Sequence, residues 1–234
     1  MSKRSQSIDP HTIGTKKESS LHKALKLHYS GAGGEAETPA DSFICDGRTG
    51  KGELIEVQCG SFAPLIKKAE QLTAKNKLRV IHPIIIQKHI ELYDTSGRLI
   101  SRRKSPRKGS AWDLFKVLIY APFLPLQKNF TIELAIIESV EKRTDDGKGS
   151  WRRRHVSIAD RTVRAWHYSI VLSKLKDYYQ FIPFTKAQRF TAGMLAEKAG
   201  IDKAVAGRAL YVLTKMGLTE RTGKEGNAFV YVRV

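Results

Sequence analysis

Two cysteines in a chain of 234 residues are too few for a disulfide scaffold. Cys45 and Cys59 flank a short glycine-rich stretch without facing each other, so two reduced thiols in a cytosolic protein are expected. Apolar runs of about eighteen residues are absent, which excludes a membrane-spanning helix. The opening MSKRSQSIDPHTIGTKKE lacks the apolar segment of a secretory signal, and a cytoplasmic, nucleoid-associated protein is expected. Histidine is sparse as well. The seven present form no cluster along the chain, and His22 and His28 fall on different faces of a helix, which argues against a zinc site. Acid is scarce relative to base: 23 Asp and Glu stand against 41 Lys and Arg, a net charge of +18. That excess favours a polyanionic partner, most often nucleic acid, and is silent on catalysis.

What is there reads as an α/β chain. A hydrophobic share of 41% supports a proper core, with room for one large domain or a domain and a half. Residues 1–15 mix Ser, Lys, Arg and Pro without periodicity and predict a disordered basic tail. ESSLHKALKLHYS predicts the first helix, because Glu18, Leu21, Leu25 and Tyr29 share one stripe. Glu18 then either turns inward with that stripe or merely suits the positive end of the helix dipole. Gly31 to Asp41 predicts a flexible connection. Ser61 predicts the N-cap of a helix running to about Lys75, with Phe62, Leu65, Ile66, Ala69 and Leu72 inward. Lys67 lies on its solvent side and Lys68 on its flank. Leu78 to Ile86 is almost continuously apolar, the pattern of a strand covered on both faces.

Farther along, His89 to Arg103 predicts a hairpin turning at Ser96-Gly97. A helix near Trp112 to Ile119, a strand at Phe130 to Ile137 and a helix from Val163 to Tyr178 follow. The last 45 or so residues predict a helix capped by Thr191, a turn at Ile201-Asp202 and a second helix with Val205, Leu210, Leu213 and Met216 inward. A hairpin turning between Gly223 and Gly226 closes the chain. That order is the winged-helix order. The expected divisions are a core over 16–140, a basic loop and connecting helix over 141–182, and the C-terminal unit over 183–234.

The chemistry centres on FICDGRTGKGELIEVQ, residues 43–58. Glycines between two β-prone runs predict a hairpin. With the turn near Gly50 and Lys51, Asp46 faces Glu56, about 5 Å away across paired strands. Two carboxylates so close are usually held by a cation, although a hairpin with charges on its wet face gives the same pattern. Glu56 and Gln58, two apart on a strand, point to one side.

A helix glutamate (Glu18), a hairpin aspartate (Asp46), nine intervening residues and then Glu56-Val57-Gln58, followed by a helix, resemble the PD-(D/E)xK nuclease superfamily. Within it, the ExQ variant resembles archaeal Holliday-junction resolvases. The resemblance spans roughly Glu18 to Ile86 and implies a restriction-endonuclease-like core, a mixed central sheet flanked by helices. It implies a metal-dependent DNA endonuclease, with Asp46 and Glu56 holding Mg²⁺ or Mn²⁺ and Glu18 completing the acidic site. Two departures stand out. Cys45 replaces the proline before the aspartate, and Gln58, an uncharged amide, replaces the lysine. Lys68 from the next helix is the expected substitute. The alternative is a non-catalytic DNA-binding regulator that keeps the fold.

Two basic stretches are expected at nucleic acid: Arg102, Arg103, Lys104, Arg107 and Lys108, and Trp151 with Arg152, Arg153 and Arg154. They also resemble a bacterial group that joins an ExQ hairpin and similar loops to a winged helix, which implies architecture and no activity. In the C-terminal unit, Lys203, Arg208, Tyr211 and Lys224 are the expected DNA contacts. DNA is the expected partner, with RNA as an alternative, and a homodimer is one possible assembly of a resolvase-like enzyme.

Overall fold

A computed structural model describes residues 18–31 and 33–234, and the basic tail expected over 1–15 lies outside the described residues. The fold is mixed α/β, with a seven-stranded sheet of mixed orientation and a three-stranded sheet near the C-terminal end. Helix α1 (Ser20–Ser30) begins after Ser19, whose hydroxyl accepts from the His22 N–H and caps the first turn. Glu18 therefore precedes the helix instead of opening its apolar stripe. Leu21 and Leu25 do form that stripe, packing on Ile55, Val57, Ile81 and Ile137 of the sheet.

The stretch expected as a flexible connection contains a strand, β1 (Glu35–Ala40), antiparallel to β2 (Phe43–Arg48). Its two buried residues, Thr38 and Ala40, are small, so the alternation that marks a strand is faint in the sequence. Strand β3 (Leu54–Val57) returns antiparallel, with Gly47 opposite Ile55 and Arg48 opposite Leu54. The ladder ends there, one pair short of Asp46 and Glu56, so the expected facing of these two carboxylates is not a ladder pair.

Helix α2 (Leu65–Leu72) is shorter than predicted at both ends. Ser61 sits before it, its hydroxyl accepting from the Ala63 N–H. Phe62, Leu65, Ala69 and Leu72 are buried as predicted, and they pack with Leu54, Leu78 and Val80 in a cluster separate from that under α1. Strand β4 (Leu78–Tyr93) then enters parallel to β3. It runs on past the end of β3, so the apolar strand and the first arm of the predicted hairpin are one element. Strand β5 (Leu99–Lys104) pairs with that distal half. Strand β6 (Phe130–Thr144) lies parallel to β4 over its whole length.

The helix predicted from Val163 to Tyr178 is overturned, and much of the basic loop and connecting helix expected over 141–182 is strand. Strand β7 (Ser157–Leu172) pairs antiparallel with β6, and the loop between them shrinks to residues 145–156. Val163, Trp166, Tyr168, Ile170 and Val171 are β-branched or aromatic, types that fit a pleated surface better than a helix. The free edge of β6 supplies their pairing.

Between β5 and β6, helix α3 (Leu114–Leu118) packs against the C-terminal unit. That unit comprises β8 (Phe190–Thr191), α4 (Ala192–Ala199), α5 (Lys203–Lys215), β9 (Thr219–Glu225) and β10 (Ala228–Arg233). Thr191 accepts from the Met194 N–H, and Gly200 ends α4 at φ 63°, a left-handed position that favours glycine. Val205, Leu210, Leu213 and Met216 are buried as predicted. The closing turn falls between Glu225 and Ala228, later than the Gly223–Gly226 turn predicted. Leu195, Leu210 and Leu213 belong to the same apolar cluster as Leu114, Phe115 and Phe181, so the unit shares the core. Among the described residues no helix is long and apolar enough to cross a membrane.

Candidate metal and nucleic-acid site

The ladder between β2 and β3 is two pairs long, and then the strands part at Asp46. The Asp46 carboxylate takes over the next cross-strand position, accepting from the Val57 N–H at 2.8 Å. Being fixed there, it meets side chains of α1 one turn apart: His22 Nε2 at 3.5 Å and Lys26 Nζ at 3.4 Å. His22 Nε2 is also 3.0 Å from the Val57 carbonyl, and His22 Nδ1 bonds the Glu18 carboxylate. Glu18, His22 and Asp46 each offer a ligand atom, all within 4.8 Å of one another. Two carboxylates and an imidazole suit a divalent ion, and the nitrogen inclines the set toward Mn²⁺ over Mg²⁺.

Lys26 lies inside this group. Its side chain is 10% exposed, with Nζ 3.3 Å from Glu18, 3.3 Å from Glu37 and 3.4 Å from Asp46. Burial alone lowers an ammonium pKa, but Asp46, Glu37 and Glu18 outweigh it and hold Lys26 above its ordinary value. Burial likewise tends to raise Glu18, yet His22 and Lys26 hold its carboxyl below the usual range. Neither His22 nor Lys26 was singled out from sequence. The expectation for histidine concerned only a cluster of histidines and a zinc site; His22 instead has Asp46 and Glu18 as its neighbours. The i, i+4 spacing of Glu18, His22 and Lys26 was the available signal.

Glu56 stands on the other side of the parted strands. Lys68 reaches back from α2 to its carboxylate and to the Ile44 carbonyl at 2.8 Å. Burial pushes the Glu56 carboxyl up, Lys68 opposes that, and Asp46 adds to the rise. Glu56 thus feels Asp46 while lying outside the Glu18–His22–Asp46 group. Gln58 turns its amide to the Ser61 carbonyl, and its own carbonyl is 2.6 Å from His82 Nδ1. Cys45 is buried and Cys59 exposed, both as free thiols.

A family model described as a domain of unknown function (DUF8091) matches residues 19–173. The chain belongs to that family. The DUF8091 region runs from α1 through β7 and so contains His22, Asp46, Glu56 and Lys68, while the C-terminal unit follows it. An uncharacterized protein of Treponema pallidum (strain Nichols) is 29% identical over 152 residues, covering 65% of this chain and 61% of that protein. The chain therefore spans about three-fifths of that relative's length. No solved structure matches.

The basic candidates are dispersed. Arg102, Arg103 and Lys104 are exposed along β5, with Arg102 Nε 3.0 Å from Glu91. Arg107 lines a cavity of about 260 Å³ with Cys59, His82 and Lys88, and Lys108 lines another of about 640 Å³ against Asp202 and Val205 of the C-terminal unit. Trp151 is 74% exposed with the Arg152 guanidinium 5.5 Å from its ring centre. Arg153 donates to the Val156 carbonyl, and Arg154 takes a left-handed φ of 53° in the same turn. Lys203 lines a cavity of about 560 Å³ with Phe229, while Arg208 and Tyr211 are exposed on α5. The Lys224 ammonium lies 5.0 Å above the Phe229 ring.

Proposed function

We propose that this chain is a metal-dependent DNA endonuclease of the PD-(D/E)xK type, similar to Holliday-junction resolvases with an ExQ hairpin. A restriction-endonuclease-like core would cut in the cytoplasm, and a C-terminal winged helix would position the duplex. The observation behind this reading is Asp46 at the point where β2 and β3 part, with Glu18 and His22 on one side and Glu56 with Lys68 on the other. The order helix, three-stranded antiparallel meander, helix and parallel strand supports the core. The order α4, tight turn, α5 and hairpin supports the winged helix.

A Mg²⁺ or Mn²⁺ ion, when bound at Asp46, supplies an activated water and neutralises charge on a phosphodiester. The chain's own residues do the rest. His22 fixes the Glu18 carboxylate, and the Val57 N–H fixes Asp46. Lys68 supplies the positive charge that Gln58 lacks, at the edge of the acid pair where a phosphoryl oxygen would gain charge. Linear, nicked and branched DNA incubated with Mg²⁺ or Mn²⁺ tests the reading. Product should depend on metal and vanish in the Asp46→Ala/Glu56→Ala protein; intact cutting by that variant sinks it.

Lys26 favours a second reading. An ammonium already between Glu18 and Asp46 neutralises them without metal, as expected of a DNA-binding regulator that retains a degenerate nuclease fold. Tight DNA binding that ignores metal, with no product on any substrate, selects it. Competition between duplex DNA and structured RNA identifies the nucleic acid.

A further inference from the structure

The distal half of the large sheet, where β5, β4, β6 and β7 extend past the end of β3, carries a charge arrangement that the acid site does not use. Glu141 on β6 is 1% exposed, in the middle of that sheet. Both its oxygens are taken by cations. Arg143 Nε and a terminal guanidinium nitrogen reach Oε1 at 2.9 and 2.6 Å. Arg161 Nε reaches Oε2 at 3.0 Å from β7, and Lys88 Nζ reaches it at 3.3 Å from β4. Burial would raise the Glu141 carboxyl, but the cations bring it down to about 2. One carboxylate thus anchors three cations, and two positive charges remain uncompensated by it. Lys88 and Arg161 keep side-chain exposures of 31% and 46%, so they are anchored at one end and open to solvent.

This patch adjoins the acid site. A cavity of about 580 Å³ has Glu18 on one wall and Arg161 on the other. Cys59, one residue beyond Gln58, feels both Asp46 and Arg161, and it shares a second cavity with Lys88. The nearby Asp160 is occupied, accepting from the Ser20 N–H at the start of α1. Fixed cations of excess charge, open to solvent and a few residues from a carboxylate cluster, match a phosphodiester backbone better than a single small anion, because the backbone repeats its charge. We propose that Lys88 and Arg161, held by Glu141 with Arg143, form a phosphate-binding platform for the nucleic-acid strand that enters the acid site. The platform lies outside both basic loops and the C-terminal unit. It rests on the nucleic-acid part of the proposed function and not on cleavage.

Fluorescence anisotropy with a labelled mixed-sequence duplex and its single strand, at several salt concentrations without divalent metal, tests the platform on the full chain. Lys88→Ala/Arg161→Ala should bind at least about tenfold more weakly, and its log–log salt slope should fall by about two phosphate contacts. The conservative Lys88→Arg/Arg161→Lys protein should keep most of the affinity. The platform is overturned if the alanine protein binds as wild type does, if the conservative protein loses as much as the alanine one, or if wild type binds neither DNA at low salt. Loss of binding in the alanine protein, together with no cleavage by wild type, upholds the platform and removes the nuclease.

Discussion

At the scale of single residues, the proposed cleavage turns on the contrast between Gln58 and Lys68. Gln58 stands where the proposed PD-(D/E)xK pattern would have lysine, and its amide is spent on the Ser61 carbonyl. Lys68 delivers its ammonium to Glu56 instead. Removing it should therefore cost on the order of a hundredfold in cleavage rate, the usual scale for a positioned charge or proton donor. Gln58→Ala should cost only a few-fold, because that side chain faces away from the acids. Single-turnover rates of the two variants, compared at saturating metal, check the ranking; equal losses would return the role to position 58. Lys26 gives the opposite expectation. Its ammonium competes for the oxygens of Glu18 and Asp46, so Lys26→Met should bind Mn²⁺ more tightly by calorimetry, by about tenfold for one removed cation. Unchanged affinity would mean that metal and ammonium occupy separate places.

At the scale of elements, α1 is the part that assembles the site. His22 and Lys26 are aimed at Asp46 because Leu21 and Leu25, on the adjoining stripe, seat the helix on β3 and β4. Leu25 is fully buried, and Leu25→Ala should cost 2–5 kcal/mol, the range for such truncations. Thermal melting measures that loss, and Mn²⁺ affinity should fall with it, since two of the three candidate ligands ride on or beside this helix. The stripe itself was readable from Leu21, Leu25 and Tyr29, and so was the antiparallel pairing of β2 with β3, because both depend on local spacing. The return of Lys68 from α2 was readable for the same reason. What escaped depends on partners far along the chain. The strand at Glu35–Ala40 has only small buried residues and exists because β2 offers it an edge. The strand at Ser157–Leu172 carries mixed polar and aromatic residues, and its pairing with β6 decides its conformation. His22 went unseen because its neighbour in space, Asp46, is brought by a hairpin and not by a histidine.

At the scale of the whole molecule, the buried charges set how the fold answers acid. Glu141 and Glu18 both have carboxyls held low, Glu141 from 4.5 to about 2. Groups lowered on folding contribute stability that is complete above their unfolded value and is lost as pH falls toward the folded one. For Glu141 alone the change from 4.5 to about 2 is worth at most about 3–4 kcal/mol, all of it lost between roughly pH 4.5 and pH 2. Glu56 is raised and acts with opposite sign: its contribution is present at low pH and is lost as pH rises through its folded value. The net expectation is a fold that weakens steeply below about pH 4.5, with Glu56 softening the slope. Because β6 joins the site-bearing half of the sheet to its basic distal half, this loss is felt by both. Glu141→Gln should therefore lower the melting temperature at neutral pH, where three cations lose their anchor, and flatten its fall between pH 4.5 and pH 2. Melting curves of wild type and variant across that window check the sign. Parallel curves would assign the acid response to other carboxylates and leave Glu141 as a packing residue among its arginines.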